Sequence, residues 1–300
     1  MVRHSRALLL AMLVLGLTWA QAAETGSFSY RAHKMYNDGR YPESIRLLQK
    51  ALEASAKEAD LEGENRVIMD MAQIMGHLYK YEKANKLFET IRPSSLNPVA
   101  TLSLLRMQLE LLNQQGKYAE SWALFDSKQG LLNDDSPEML HGSILLAAAV
   151  ANAGTGADVS RSGKMVEKAT DLLDDEAPGM LSLAQARIAD LQGDLAQATK
   201  LYETTLKNAQ KSRKIWIAGQ VLIRLGQLAQ KGTDSLLASE YYLRAAKLYM
   251  GMGIDRPFLQ AAEAYLALQP QDEDLARAVH NSKLRLNPAE AIADTTGNAP

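Results

Sequence analysis

The fold is decided by residues 216–249, which read WIAGQVLIRLGQLAQKGTDSLLASEYYLRAAKLY. On either side of Gly232, apolar and small residues recur at the spacing of a helix, and this spacing predicts two amphipathic helices joined by a turn. The residues that carry the pattern are Leu222, Leu225, Gly226 and Ala229 before the turn, and Ala238, Tyr242 and Ala245 after it. Because a helical hairpin cannot bury its apolar face alone, the stretch also predicts neighbouring hairpins that stack on it.

The same arrangement recurs along most of the chain. In three earlier units an aromatic residue follows the turn, at Tyr41, Tyr81 and Tyr118, with spacings of 40 and 37 residues. A fifth unit turns at Gly193, between apolar residues at helical spacing. The fourth unit is less regular, and its glycines predict a long loop over residues 154–163.

Every segment has a helical period and none alternates like a strand, so the sequence predicts an all-α α-solenoid. We expect about six antiparallel helix pairs within residues 23–286. A last pair, at 257–268 and 272–286, lacks the repeated pattern and is expected to cap the stack. Residues 287–300 are small, polar and poor in apolar side chains, which predicts a disordered tail.

Residues 1–22 predict the compartment. Arg3 and Arg6 precede an apolar run over residues 7–17, and Ala20-Gln21-Ala22 has the form of a cleavage site. This pattern predicts a secretory signal peptide that is cleaved near Ala22. The alternative is an uncleaved anchor, but the run is shorter than the roughly 20 residues that a spanning helix needs. We therefore expect a periplasmic or secreted protein with no transmembrane segment after cleavage.

Charge and cysteine content narrow the classes of partner. The chain carries a formal net charge of −2, and two of its arginines lie in the predicted signal peptide. A mildly acidic mature chain argues against nucleic acid as the main ligand. The chain has no cysteine, so neither a disulfide nor a lipid-attached cysteine can contribute.

These residues resemble the tetratricopeptide repeat (TPR) family across residues 28–250. The order of a large apolar residue, Leu-Gly, a turn and then Ala, an aromatic and Ala is similar to the family pattern. The chain departs from the pattern in its spacing, which exceeds the usual length of about 34 residues, and so resembles the longer-repeat variety. The family's hallmark Trp is also absent; its position holds Phe28, Ile68, Leu105, Ser182 and Leu222.

The resemblance implies a right-handed superhelix whose concave groove is lined by the first helix of each pair. It also implies that the protein binds other proteins or peptides and is not a catalyst. Carried over by position, the family's groove residues correspond to His33, Tyr36, Asn37, Arg66, Gln73, His77, Arg106, Glu110, Asn113, Gln114, Arg187, Asp190, Gln227 and Gln230. The alternative is that these polar residues form an ordinary solvated face.

Some members of the family grip a terminal carboxylate with Lys and Asn in the first helix. Ser29 and His33 stand at those places, so that clamp is not predicted for this chain.

The sequence contains no recognisable catalytic or cofactor motif. It has no Walker loop, no G-x-G-x-x-G, no G-x-S-x-G and no His-x-x-x-His pair, so we expect no cofactor and no metal site. His33 and His77 fall on one predicted face in successive repeats, where groove lining is favoured over a metal site. A basic run beside Trp216 suits either an anionic polymer or a solvated helix end, and the second is favoured; it comprises Lys207, Lys211, Arg213 and Lys214.

Three functions remain open from the sequence. The first is a non-catalytic scaffold that binds a protein or peptide in its groove and helps to assemble or tether an envelope complex. The second is an accessory subunit that positions cell-wall glycan for a catalytic domain in another chain. The third is a structural protein that stacks end to end, and the sequence predicts no particular oligomeric state.

Overall fold

The computed structural model describes residues 25–173 and 178–286. The predicted signal peptide and the predicted C-terminal tail lie outside the described residues. Within these ranges the chain forms fourteen α-helices and no β-strand, which confirms the predicted all-α architecture. None of these helices is both long and apolar enough to cross a bilayer.

The helices follow one another with short connections. They are α1 (25–37), α2 (Tyr41–Glu58), α3 (Leu61–His77), α4 (Tyr81–Thr90), α5 (Pro98–Gln114), α6 (Tyr118–Lys128), α7 (Glu138–Thr155), α8 (Val159–Leu173), α9 (Pro178–Leu191), α10 (Leu195–Lys211), α11 (Ile215–Lys231), α12 (Ser235–Gly251), α13 (Asp255–Leu268) and α14 (Glu273–Leu286). Short 3₁₀ turns at Pro93–Ser95 and Gln129–Leu131 follow α4 and α6.

The helices pair in sequence order to build the solenoid. Helices α3, α5, α7 and α9 pack side by side in succession, and the second helix of each pair packs against the first. Close approach inside a pair depends on small residues: a Cβ added to Gly226 would lie 2.6 Å from Cε1 of Tyr242. Gly226 of the Leu-Gly pair in α11 therefore packs directly against the aromatic ring of Tyr242 in α12.

The turns within most pairs share one backbone geometry. Gly39, Gly116 and Gly193 all have φ near +75°, at 74°, 73° and 80°. The next backbone N–H bonds to the carbonyl five residues back, as in Lys117 N–H to Leu112 O at 2.9 Å, which is the Schellman arrangement. In the sixth pair the left-handed residue is Thr233 rather than Gly232.

The predicted long loop of the fourth unit is wrong. Helix α7 runs to Thr155 and α8 begins at Val159, so only residues 156–158 connect them. Gly154 lies inside α7, where an added Cβ would come 2.1 Å from Cγ of Tyr118. Ser162 lies inside α8, and its buried hydroxyl donates to Ala149 O at 3.1 Å. These small residues allow the helices to pack closely. The sequence pattern alone does not distinguish small residues with this role from small residues in a loop.

The solenoid curves until its early units meet the late helices α11 and α13. The imidazole of His77 stacks on the indole of Trp216, with ring centroids 4.0 Å apart and planes 14° apart. Arg256 Nη1 donates to Tyr79 O at 3.3 Å. One hydrophobic core accordingly includes residues from Ala32 in α1 to Val279 in α14.

The shared turn geometry predicts opposite effects for the same substitution at two glycines. Gly116→Ala forces a side chain into the left-handed region and should lower the free energy of unfolding by about 1 kcal/mol. Gly163 lies at an exposed position within α8, and Gly163→Ala should raise the free energy of unfolding by about 0.5–1 kcal/mol. An added Cβ meets nothing within 4 Å at either position, so crowding does not contribute. Urea unfolding measures both changes, and equal losses would contradict the turn assignment.

Candidate functional site: the recess between the first helices

Six first helices, α1, α3, α5, α7, α9 and α11, surround a recess of about 290 Å³, here called the central recess. All six line it directly within their helical span, and Lys214 also lines it from the turn before α11. A recess of this size is close to the lower end of the range for ligand pockets. Its lining comprises Tyr36, Asn37, Gln73, Arg106, Glu110, Asn113, Gln114, Ser143, Leu146, Ala147, Val150, Met180, Leu183, Ala184, Arg187, Lys214, Trp216, Ile217 and Gln220.

A second recess of about 130 Å³ continues from the first and is here called the side recess. The two share Gln114, Leu183, Arg187 and Gln220. The side recess is further lined by tyrosines and long polar side chains, namely Tyr79, Tyr81, Tyr202, Arg224, Gln227 and Gln260 with Val221 and Ile223.

One wall of the central recess is apolar. Leu146 and Val150 come from α7, a helix that is buried along nearly its whole length, and Met180 and Leu183 come from α9. Because α7 packs against α5, α6, α8 and α9, its side chains are apolar on every face rather than in one stripe. The part of α7 that faces the recess is therefore an apolar surface available to a ligand.

Helix α5, which packs beside α7, contributes a partly buried ion pair to the lining. Arg106 Nη1 lies 2.8 Å from Glu110 Oε1, with the two side chains 19% and 29% exposed. Within the described ranges, no ion pair involves Arg187 or Lys214. The central recess therefore holds three basic side chains against one acidic side chain, although the chain as a whole is net negative.

Asn113 presents an unused acceptor in the recess. Its side-chain amide donates to Ala147 O at 2.8 Å, which fixes the orientation of the amide. The other end, Oδ1, is buried without a hydrogen-bond partner, and the residue is only 3% exposed. An unsatisfied buried acceptor costs about 1–3 kcal/mol, so a ligand N–H at this point would relieve a standing penalty.

His77 is buried behind the recess, where α3 meets α11. Its Nδ1 lies 2.7 Å from the Tyr36 hydroxyl, and its ring stacks on Trp216. Burial, together with the positive charge of nearby Arg106, lowers the pKa of His77 to about 3. The imidazole is therefore neutral at physiological pH and acts as a packing and hydrogen-bonding group.

The structure brings together most of the residues that the resemblance placed in a groove. Those that line the central recess are Tyr36, Asn37, Gln73, Arg106, Glu110, Asn113, Gln114 and Arg187, and Gln227 lines the side recess.

The remaining predicted residues have partners elsewhere. His33 Nε2 lies 2.8 Å from Asp70 Oδ2, and Arg66 lies 3.0 Å from Glu62. The other three predicted residues are also engaged: Asp190 lies 3.6 Å from Lys231, Gln230 Oε1 accepts from Tyr242 at 3.0 Å, and His77 is buried behind the recess.

His33 and His77 thus take part in separate contacts. Among the residues described, no group of three His, Cys, Asp or Glu side chains is placed to hold a metal ion.

Several lining residues were missed by the sequence analysis. Lys214 was assigned to a solvated helix end, whereas it borders the central recess beside Trp216. The apolar wall was missed because an apolar residue at helical spacing is ordinarily core. The signal that could have revealed this wall is the sequence of α7, which is apolar around nearly the whole helix instead of having one apolar and one polar face.

Comparison with known proteins supports the fold and nothing finer. No protein-family model matches the chain, and no curated protein sequence is significantly similar to it. A signal transduction ATPase with a tetratricopeptide repeat sensor, from Pyrococcus horikoshii, is similar over 90% of this chain with a TM-score of 0.51 and 12% identity. The matched region is 41% of that protein, so the chain spans less than half of its length.

A second solved structure is a tetratricopeptide repeat protein from Parabacteroides merdae. It is matched over 87% of this chain and 99% of its own, with 9% identity and a TM-score of 0.43. The predicted TPR-like α-solenoid is confirmed.

The burial of His77 predicts a specific pH dependence. Its folded-state pKa is depressed, so the unfolded chain binds the proton more readily and stability is lost as pH falls from about 6.5 towards 3. His77→Gln should remove the contribution of this imidazole to the loss of stability in acid. That contribution is at most about 1.4 kcal/mol in the free energy of unfolding per pH unit. Urea unfolding at a series of pH values between 7 and about 4 measures the slope.

His33 provides the matched control. The hydrogen bond with Asp70 raises the pKa of His33 in the folded protein. The stability that His33 contributes is therefore fully present below about pH 6.5 and is lost as the pH rises through the folded-state pKa. His33→Gln should therefore leave the acid slope unchanged. An identical acid slope in the native protein and His77→Gln would contradict a neutral buried imidazole.

Proposed function

We propose that this chain is a non-catalytic scaffold that binds a segment of a partner protein in the central recess. Through that contact it would assemble or tether a complex in the cell envelope. The observation that carries the proposal is the central recess itself, where an apolar wall faces polar and charged side chains contributed by successive repeats. Surfaces of this mixed character anchor a ligand by burial and orient it by a few polar contacts.

The state of the polar groups supports binding over simple solvation. Asn113 Oδ1 and Gln114 Oε1, which belong to residues that line the recess, are buried without a partner, whereas Arg66 and His33 outside it are paired with neighbours. A solvated face would satisfy its acceptors with water or with adjacent side chains. A partner segment with backbone N–H groups would satisfy Asn113 and cover the apolar wall at once.

The envelope location rests on the sequence. Arg3, Arg6, the apolar run over 7–17 and the Ala20-Gln21-Ala22 site together support export with cleavage near Ala22. The mature protein would then act in the periplasm or outside the cell.

Filling the central recess should abolish partner capture. Ala184 lines the recess and is 6% exposed, so Ala184→Phe places a large ring in the space that the partner segment would occupy. Ala119 is exposed on α6, outside both recesses, and Ala119→Phe is the matched control. Affinity capture from an envelope extract, with the mature protein beginning at Ala23, should recover a partner with the native protein and Ala119→Phe but not with Ala184→Phe.

The folded state of each variant is checked by circular dichroism and urea unfolding. Should Ala184→Phe unfold, Met180→Glu tests the same wall, because Met180 is half-buried and would present a charge to the apolar segment. Equal capture by native and folded recess variants would exclude the recess as the binding site. Failure of the native protein to capture any partner would contradict the scaffold function.

Export makes a separate prediction. Expressed with its natural N-terminus in a Gram-negative host, the protein should be recovered from the periplasmic fraction, and N-terminal sequencing should begin at Ala23. Replacing the apolar Leu13 and Leu15 by Arg interrupts the run and should leave the uncleaved chain in the cytoplasm. Recovery of uncleaved native chain from the cytoplasm would contradict the envelope location.

A further inference from the structure

We infer that the segment held in the central recess is an acidic one: an extended stretch of a partner protein in which an Asp or Glu side chain contacts Arg187 beside a large apolar residue. This inference rests on the proposed function and specifies the chemistry of its partner.

The charge distribution in the recess favours a carboxylate. Arg106 is already neutralised by Glu110 at 2.8 Å, whereas Arg187 and Lys214 line the same recess without an ion pair among the described residues. Asp190, one helical turn from Arg187, is engaged by Lys231 at 3.6 Å. Two basic side chains therefore face the recess in a chain that is net negative. A ligand carboxylate would complement these two positive charges. The planar guanidinium of Arg187 is the better partner, because it can form two parallel hydrogen bonds with a carboxylate.

The position of Arg187 favours an acidic side chain within the segment over a C-terminal carboxylate. Arg187 borders both recesses, together with Gln114, Leu183 and Gln220. A chain that ended at Arg187 would leave one recess empty, whereas a chain that continued past it would occupy both. We therefore place the acidic side chain at the junction of the two recesses.

The central recess is partly apolar and the side recess is polar. This difference predicts which residues flank the acidic residue in the bound segment. Leu146, Val150 and Met180 give the central recess an apolar wall, which suits a large aliphatic or aromatic residue. Arg224 and Gln260 line the side recess, which suits a polar or second acidic residue. The buried Oδ1 of Asn113 would accept a hydrogen bond from a backbone N–H of the segment.

The inference is tested with random peptides displayed with both ends blocked, selected on the immobilised mature protein. The enriched sequences should contain Asp or Glu next to a large apolar residue. Selection on Arg187→Ala should lose the acidic preference and keep the apolar one. Lys247→Ala removes an exposed cation of α12 that borders neither recess and makes no ion pair among the described residues, so it is the matched control and selection on it should resemble the native result.

The best enriched peptide is then synthesised with its acid intact and with that acid replaced by its amide, again with blocked ends. Calorimetry should show a loss of about tenfold or more for the amide peptide on the native protein. Arg187→Ala should weaken the acidic peptide by a similar factor and should not distinguish the two peptides. Arg187→Lys should recover part of the difference, because a charge remains while the planar fork is lost.

The outcomes separate this inference from the proposed function. Enriched peptides that lack an acidic preference, or that bind Arg187→Ala and the native protein alike, would overturn the acidic segment and leave the scaffold intact. Binding that requires a free C-terminal carboxylate would overturn the placement of the acid within the chain. No enrichment, combined with no partner in the capture experiment, would contradict the scaffold itself.

Discussion

The stack of His77 on Trp216 is the contact on which the shape of the central recess depends. These residues are far apart in sequence, and their contact brings the inner helix of the second unit against that of the sixth. Without it the first helices would present an open concave face; with it they surround a recess. The contact demands a neutral imidazole, because a charged ring in this buried position beside Arg106 would be desolvated and repelled.

The same contact orders the polar wall next to it. His77 Nδ1 lies against the Tyr36 hydroxyl, so the first unit is tied to the place where the second meets the sixth. Burial raises the pKa of Tyr36, so its hydroxyl keeps its proton for hydrogen bonding. The recess is thus bounded by groups that are fixed in both charge and position. Such pre-organisation reduces the ordering cost when a ligand enters.

Local signals allowed the helical architecture to be predicted from the sequence. A turn needs a residue that tolerates the left-handed region, and Gly39, Gly116 and Gly193 mark three turns where the structure has them. The pairing of Gly226 with Tyr242 is local too, because both belong to one hairpin. The prediction failed at Gly154, since a glycine required for close packing has the same appearance in sequence as a glycine that ends a helix.

The site was harder to predict because it depends on curvature. Each pair adds a small rotation, and only the accumulated rotation decides which inner residues face one another. Carrying over the family's groove positions therefore identified Arg106 and Arg187 but equally selected Arg66 and Gln230, which lie outside the recess. Lys214 was interpreted as part of a solvated helix end because it belongs to a turn and borders the recess only when α11 docks against α3.

The contact between early and late units also has a consequence for how the chain folds. A solenoid whose repeats touch only their neighbours can fold and unfold piecemeal, starting anywhere along its length. Here His77 and Arg256 make contacts that span large sequence separations, so both regions must be formed before these bonds can be made. Loop-closure entropy makes such contacts slow to form. The helix pairs should consequently assemble first, and the central recess should be the last feature of the molecule to form.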